Sequence, residues 1–296
     1  MTRLYGNQRG VIDLTFSVQE GEIFGFLGPK GAGKTTIRQL MGFLRPARGS
    51  AWIFGLECPA APAQVKAGFL PADIHLYEQM SGAEFLSFGA RFRGRENPQR
   101  RKMLVDRLNL NLKQKIKHLS KGNRQKPAII QELMHDAPSL ILDEPTTGLD
   151  PLKQMDFLEL LREEQSRGKT VFLSSHLLSE VERIVQRIII IRDGRLITVE
   201  EVARLKAKSE RRMDLTLREP VPAERFSALD GVRMISTDPG GKRLTLAIRR
   251  KLAPLLRTLG ELPVEDLSFA PADLESIFLH YYSEVDEPLP RERVAK

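Results

Sequence analysis

An eight-residue stretch from Gly28 to Thr35, GPKGAGKT, constrains the fold of this chain more than any other part of its sequence. It follows an apolar run at 23–27 and precedes apolar residues at helical spacing: Ile37, Leu40, Met41 and Leu44. The glycines let backbone N–H groups approach a polyphosphate, and a helix N-terminus adds partial positive charge. We therefore predict a strand, a phosphate-binding loop and a helix, with Lys34 reaching the β- and γ-phosphates and Thr35 holding Mg²⁺.

Short apolar runs recur along the chain and predict further strands. They lie at 12–18, where apolar residues alternate, and at 140–142, 171–173 and 188–191. A helix with the apolar face Leu152, Met155, Leu158 and Leu161 is expected between two of them, and Asp193-Gly194 is typical of a hairpin turn. Short strands that alternate with amphipathic helices indicate an α/β fold with a mostly parallel, doubly wound sheet.

Two acids close one of these strands. Asp143 and Glu144 follow Leu140-Ile-Leu142, and successive side chains on a strand point in opposite directions. One carboxylate can hold the Mg²⁺ shell, and the other can orient or deprotonate a water molecule. A pair of solvated acids at a strand end is the alternative.

Three further features are weak when each is taken alone. Ser120 and Gly122 precede a predicted helix, with Ser120 as N-cap, which makes either a second anion-binding helix terminus or a plain cap. The stretch 147–151, which includes Asp150, is typical of a loop that enters a helix. His176 follows a predicted strand, where a lone histidine is more often structural.

Taken together, these motifs resemble the ATP-binding cassette (ABC) ATPases. The Walker A motif at 28–35, an LSGGQ-like element at 119–123, the Walker B motif at 140–144, a D-loop at 147–150 and a switch histidine at 176 have the family's order and spacing. The resemblance is greatest to the ATP-binding subunits of prokaryotic exporters of the drug- and antibiotic-efflux type. It implies an α/β P-loop NTPase cassette: a mostly parallel sheet, an antiparallel edge sheet and a helical arm.

The chain has room for two domains. We expect the ATP-binding domain at 1–210, with a helical arm at about 75–135. The composition changes near residue 210, and 211–296 is expected to form a small C-terminal α+β accessory domain like that of efflux subunits.

The resemblance implies a role for each matching residue. ATP is held by the loop that runs through Gly28, Pro29, Lys30, Gly31, Ala32, Gly33, Lys34, Thr35 and Thr36. Thr35 and Asp143 match the Mg²⁺ ligands, and the catalytic group comprises Glu144 as base, His176 at the γ-phosphate, and Lys34. Tyr5 falls where the family stacks an aromatic ring on adenine.

In the family, two cassettes close head to tail over two ATP molecules. The resemblance therefore implies a homodimer, or a heterodimer with a second cassette. Ser120 and Gly122 would face the partner's nucleotide, and Asp150 would link the two sites.

The sequence departs from the family pattern at four places. Lys30 stands where asparagine is usual, and Ala72 stands where the Q-loop glutamine is expected, with Asp73 as a substitute. Pro127 falls inside the helix after Ser120, where it would cost about 3 kcal/mol unless the helix kinks or starts late. The sequence begins at Met1, whereas relatives have an earlier strand.

Charge is distributed unevenly. The net charge is +8, yet residues 91–126 hold 13 Lys/Arg against two acids, a surplus of 11, so the rest of the chain sums to −3. We expect this basic block, Arg100 to Lys102 included, to face an anionic membrane surface. Nucleic-acid binding would use interleaved aromatic residues, and Phe92 is the only one there, so no specific nucleic acid is expected.

These observations predict the ATP-hydrolysing subunit of an exporter that works with separate membrane-spanning permease subunits. No run of about 20 apolar residues and no secretion signal is evident, and Cys58 is the only cysteine. The expected location is therefore cytoplasmic, peripheral on the inner face of the cell membrane. The alternatives are a soluble cassette ATPase that acts on nucleic acid or ribosomes, and a nucleotide-binding regulator with low turnover, which Ala72 and Lys30 favour.

Overall fold

A computed structural model gives the fold as two compact units, Met1–Glu200 and Glu201–Lys296. The structure describes residues 1–5, 9–28, 37, 40–43, 47–94, 97–222, 224–249 and 252–283. No helix among them is long and apolar enough to cross a membrane.

A six-stranded sheet forms the centre of the first unit. Its order is β10-β9-β3-β8-β7-β6, and β6, β7, β8, β3 and β9 run parallel. The strands are β3 (Ile23–Leu27), β6 (Ala67–Leu70), β7 (Ser139–Asp143), β8 (Thr170–Ser175), β9 (Arg187–Arg192) and β10 (Arg195–Glu201). Two small antiparallel sheets join β1 (Arg3–Tyr5) to β2 (Arg9–Val11) and β4 (Trp52–Ile53) to β5 (Leu56–Glu57). The mostly parallel sheet with antiparallel additions confirms the predicted fold class.

Helices of the first unit include an arm inserted between β6 and β7. The bounds are α1 (Ala61–Val65), α2 (Gly82–Arg93), α3 (Pro98–Arg107), α4 (Lys121–Met134), α5 (Pro151–Ser166) and α6 (Leu178–Ile184), with a 3₁₀ turn at Ile116–His118. The arm comprises α2, α3 and α4. Its first helix begins at a capping box, in which Ser81 and Glu84 each bond the other's backbone N–H.

Aromatic side chains pack the core beneath β3. The Phe24 and Phe172 ring centroids lie 5.9 Å apart, and those of Phe26 and Phe172 lie 5.5 Å apart. Such offset contacts add to the stabilisation from burial itself. The strand that precedes Gly28 is therefore fixed by packing against the neighbouring strand β8.

Two predictions about these elements were wrong in part. In α5 the buried apolar residues are Phe157, Leu158, Leu160 and Leu161, so the predicted face is right at its last two positions, whereas Leu152 and Met155 are 74% and 54% exposed. Residues 14–18 alternate in burial as predicted, but they form no strand because, among the described residues, only Leu14 has a ladder partner, Met1.

Pro127 lies inside α4, which begins at Lys121 directly after its N-cap Ser120. The helix therefore does not start late to avoid the proline, and it continues for two further turns.

The basic block is only partly a free surface. Arg100 is 6% exposed; its Nη2 lies 2.5 Å from Glu164 Oε2 and its Nε donates to the carbonyl of Leu133 at 2.7 Å. Lys169 Nζ lies 2.8 Å from the same carboxylate. The expectation that Arg100 is a free cation was wrong, because it pairs α3 with a buried acid of α5.

The second unit is an α+β arrangement around a four-stranded antiparallel sheet. The order is β12-β13-β11-β14, and Met213, Leu215 and Leu246 pack on one face. Its elements are α7 (Val202–Lys208), β11 (Arg211–Leu217), α8 (Glu224–Ser227), β12 (Val232–Thr237), β13 (Arg243–Ile248), α9 (Ala253–Gly260), β14 (Val264–Ala270) and α10 (Leu274–Ser283).

Candidate functional site

The carboxyl ends of three adjacent parallel strands meet at one edge of the central sheet. Leu27 of β3 is level with Ser175 of β8, and Asp143 of β7 is level with Ser174. Buried Gly28 follows Leu27 directly. The start of the loop, the two acids and His176 therefore share one edge of the sheet. In open α/β sheets the ligand binds outside this edge.

Asp143 and Glu144 are both fixed by Ser174 of the neighbouring strand. The Ser174 hydroxyl donates to Asp143 Oδ1 at 2.5 Å, and the Glu144 N–H donates to the Ser174 carbonyl at 3.1 Å. Glu144 has a φ of +50°, a left-handed conformation that is uncommon for residues other than glycine. The chain therefore turns sharply at Glu144 and leaves the sheet.

His176 contacts Glu144 through both its ring and its backbone. Its Nδ1 lies 2.5 Å from Glu144 Oε2, and its N–H donates to the same oxygen at 3.3 Å. The Glu144 side chain is 14% exposed and that of His176 is 39% exposed. The pair is thus half-open to solvent, with the imidazole and the carboxylate held together.

A second group of site residues lies where α4 meets the loop before α5. Ser120 Oγ accepts from the N–H of Asn123 at 3.3 Å, which confirms the predicted cap. Asp150 caps α5 by accepting from the N–H of Lys153 at 3.0 Å. A Cβ on Gly122 would lie 2.5 Å from the Gly148 carbonyl oxygen, so only glycine fits there.

Most of the predicted phosphate-binding loop lies outside the described residues. This applies to Pro29, Lys30, Gly31, Ala32, Gly33, Lys34, Thr35 and Thr36, and to the side chain of Tyr5, whose backbone belongs to β1. Beyond the loop, the Met41 N–H donates to the Ile37 carbonyl at 3.2 Å, and Ile37 is buried. A helical turn with an apolar face therefore follows the loop, as predicted.

Ala72 and Asp73 line a cavity between the end of β6 and α4. Its volume is about 550 Å³, and Gln125 and Thr147 also contribute to its lining. At position 72, where the Q-loop glutamine is expected, the wall of this cavity carries only the methyl group of Ala72.

Sequence reasoning missed several residues that support the site. Ser174, Gln125 and Glu180 are polar and carry no motif signal, except that Ser174 stands two residues before His176. Burial raises the pKa of Glu180, and its hydrogen bond to Thr146 and the nearby His176 only partly offset that effect. Glu180 thus lies close to the Glu144–His176 pair.

The donor chemistry at this edge fits Mg²⁺. Asp143 supplies a buried carboxylate, and Mg²⁺ prefers oxygen ligands, one or two of them carboxylates, beside phosphate oxygens.

Comparison with known proteins agrees with this geometry. Residues 11–147 match the family model described as ABC transporter. The bacitracin transport ATP-binding protein BcrA of Bacillus licheniformis is 33% identical over 223 residues, which cover 73% of each chain. The chain belongs to the ABC transporter family.

Two further matches extend this result. The Nod factor export ATP-binding protein I of Paraburkholderia xenovorans is 36% identical over 65% of this chain and 66% of its own length. The solved structure of an ATP binding subunit of an ABC transporter has a TM-score of 0.63 and 30% identity, over 68% of this chain and 88% of its own. The chain spans only 57% to 64% of the length of the first curated relatives it matches.

Proposed function

We propose that this chain is the ATP-binding and ATP-hydrolysing subunit of an ABC exporter. The observation that carries the proposal is the Glu144–His176 pair, held beside Asp143 at the sheet edge where Gly28 begins the glycine-rich loop. A carboxylate that emerges next to a phosphate-binding loop is placed to act on water rather than to stabilise the fold.

In the proposed reaction Glu144 is the general base. Its carboxylate would take a proton from the attacking water, while His176 Nδ1 keeps it oriented and leaves Nε2 for a γ-phosphate oxygen. Lys34 and the loop Gly28–Thr36 would bind the phosphates, and Tyr5 would stack on adenine. Mg²⁺, held by Thr35 and Asp143, would neutralise phosphate charge when bound.

We propose that two chains enclose the nucleotide. Ser120 and Gly122 at the start of α4 present a helix N-terminus without a lysine of its own, which suits a phosphate already bound by another loop. Asp150, exposed at the start of α5, would link the two sites. The partner is a second copy or a second cassette.

Transport is proposed from the relatives, whose names specify bacitracin transport and Nod factor export. Permease subunits would supply the membrane passage, and this chain would work peripherally on the cytoplasmic face of the membrane. The second unit, Glu201–Lys296, would be the accessory domain that the sequence places at 211–296.

A nucleotide-binding regulator with low turnover is the second candidate. Ala72 favours it, because a methyl group at the cavity wall cannot bind Mg²⁺ or water as an amide would. The measured turnover number separates the two functions.

The test is a pair of substitutions in the full chain. Glu144→Gln should lower hydrolysis by about a hundredfold or more while ATP still binds, since only the base is lost. Lys34→Ala should weaken ATP binding itself. Phosphate release and equilibrium binding of a fluorescent ATP analogue measure these effects, and unchanged turnover of Glu144→Gln would overturn the assignment.

A further inference from the structure

Gln125 has a buried amide side chain that reaches from α4 to the segment 144–150, which connects β7 to α5. It is 7% exposed, and its Nε2 donates to the carbonyl of Pro145 at 2.5 Å. Pro145 follows Glu144 directly and is itself buried. A buried carbonyl without this donor would lose its hydrogen bond, so the contact fixes the backbone one residue from the proposed base.

The same helix contacts the loop at a second point. Gly122 packs so closely on Gly148 that a Cβ on Gly122 would lie 2.5 Å from the Gly148 oxygen. The segment from Pro145 to Gly148 is thus held against α4 at both of its ends. On the opposite side, the carbonyl and the hydroxyl oxygen of Ser174 accept from the N–H of Glu144.

Glu144 needs such contacts because of its backbone conformation. Its φ of +50° is disfavoured for a residue with a Cβ. A backbone conformation of this kind persists only where surrounding contacts hold it in place. Ser174 accepts from the N–H of Glu144 on the strand side, and Gln125 donates to the carbonyl of the next residue, Pro145, on the helix side.

We infer that Gln125 is a positioning residue that sets the place of Glu144 from α4. The inference rests on the proposed function. In the proposed dimer Ser120 begins α4 at one nucleotide while Glu144 acts on the other, so Gln125 ties the contact at one site to the base at the other.

The experiment compares Gln125→Met and Gln125→Asn with a matched control. Met keeps the volume and removes the donor, and Asn keeps the amide but shortens its reach. Gln131→Met is the control, because Gln131 lies on the same helix and bonds Glu132 rather than the loop.

We measure ATP hydrolysis by the full chain against ATP concentration. Both Gln125 variants should lower kcat by about ten- to a hundredfold, since a displacement near 1 Å suffices for that loss. KM should stay within about threefold, as expected when ground-state binding is kept. Because Gln125 would couple the two nucleotide sites, the variants should also lose cooperativity, so the Hill coefficient for ATP should fall toward one. Gln131→Met should match the wild type in all three quantities.

Three results are decisive. Gln125 variants with kcat within about twofold of the wild type would overturn the inference. An equal loss in Gln131→Met would do the same, because it would show a general defect of α4. If the wild type itself does not hydrolyse ATP, the proposed function fails, and this control separates that outcome from failure of the inference. If Gln125→Met does not fold, Gln125→Asn decides.

Discussion

At the scale of single residues, close backbone contacts help to determine where the proposed catalytic groups lie. Gly122 contacts the Gly148 carbonyl, and no side chain fits between them. The loop that connects Glu144 to α5 is therefore sensitive to one added methyl group on Gly122, which stands 22 positions before Glu144 in the chain.

Gly122→Ala should lower the stability of the first unit and slow turnover. The new Cβ must displace backbone at 2.5 Å, and overpacking of this kind costs about 1–3 kcal/mol. Thermal unfolding and ATP hydrolysis measure the two effects.

Gly260→Ala is the control, because nothing lies within 4 Å of a Cβ there and alanine favours the helix by about 0.5–1 kcal/mol. A melting temperature of Gly122→Ala equal to the wild type would contradict the contact.

The sequence predicted which residues meet at the edge of the sheet better than it predicted the residues that support them. Asp143 and Glu144 were predictable because an apolar strand ended in two acids, and Ser120 because it stood before a helix. Gln125 could not be found, since its partner is a backbone carbonyl 20 residues away that only the fold brings close.

At the scale of elements, a buried carboxylate joins the arm to the central sheet. Glu132 of α4 accepts from the N–H of Phe69 in β6 at 3.0 Å and lies 3.2 Å from Arg93 of α2. Burial raises the pKa of Glu132, and Arg93 and the Phe69 N–H offset this only in part. The native state therefore holds this proton more tightly than the unfolded chain does.

This raised pKa gives a defined pH dependence. The contribution of Glu132 to stability is fully present below its unfolded pKa and is lost as pH rises through the folded pKa. Glu132→Gln removes the titration, so its melting temperature relative to the wild type should rise as pH increases from about 4.5 toward 8.

Calorimetric scans across that range measure the difference. Glu219→Gln, at an exposed position, should show no such trend. A difference that moved the other way would mean that the pair with Arg93 outweighs burial.

Strand positions were largely predictable, because each buried strand is a short apolar run. The buried face of α5 was predicted only in part, since residues 152 and 155 fit the 3.6 periodicity but are exposed near the start of the helix. The segment 14–18 has the alternation of a strand, yet a strand also needs a partner, and alternation does not supply one.

At the scale of the whole molecule, the basic block divides into structural and free cations. Arg100 and Lys126 are buried, whereas Lys102, Lys113, Lys115 and Lys117 are exposed. The amino-acid composition does not distinguish buried from exposed cations. The charge surplus of residues 91–126 therefore overestimates the positive charge that could face a membrane.

Charge reversal at Lys113 and Lys117 tests the membrane surface. The double change to Glu should weaken binding to anionic liposomes about tenfold or more, since each cation contributes up to about 1 kcal/mol near the surface. Co-sedimentation at low and physiological salt measures binding.

Lys242→Glu with Arg257→Glu makes the same change in net charge on the second unit and should have little effect. Equal losses from both pairs would show only non-specific attraction. A tight, sequence-dependent complex with DNA or RNA that was lost with Lys113 and Lys117 would favour the nucleic-acid alternative.

The central claim is that two chains close over ATP and that Glu144 reopens them by hydrolysis. The most direct measurement is the mass of Glu144→Gln by light scattering, with and without saturating ATP. We predict a shift from the mass of one chain to that of two, which Ser120→Arg should block by placing a bulky charge at the start of α4. A mass of one chain at saturating ATP, with nucleotide shown to be bound, would contradict the account.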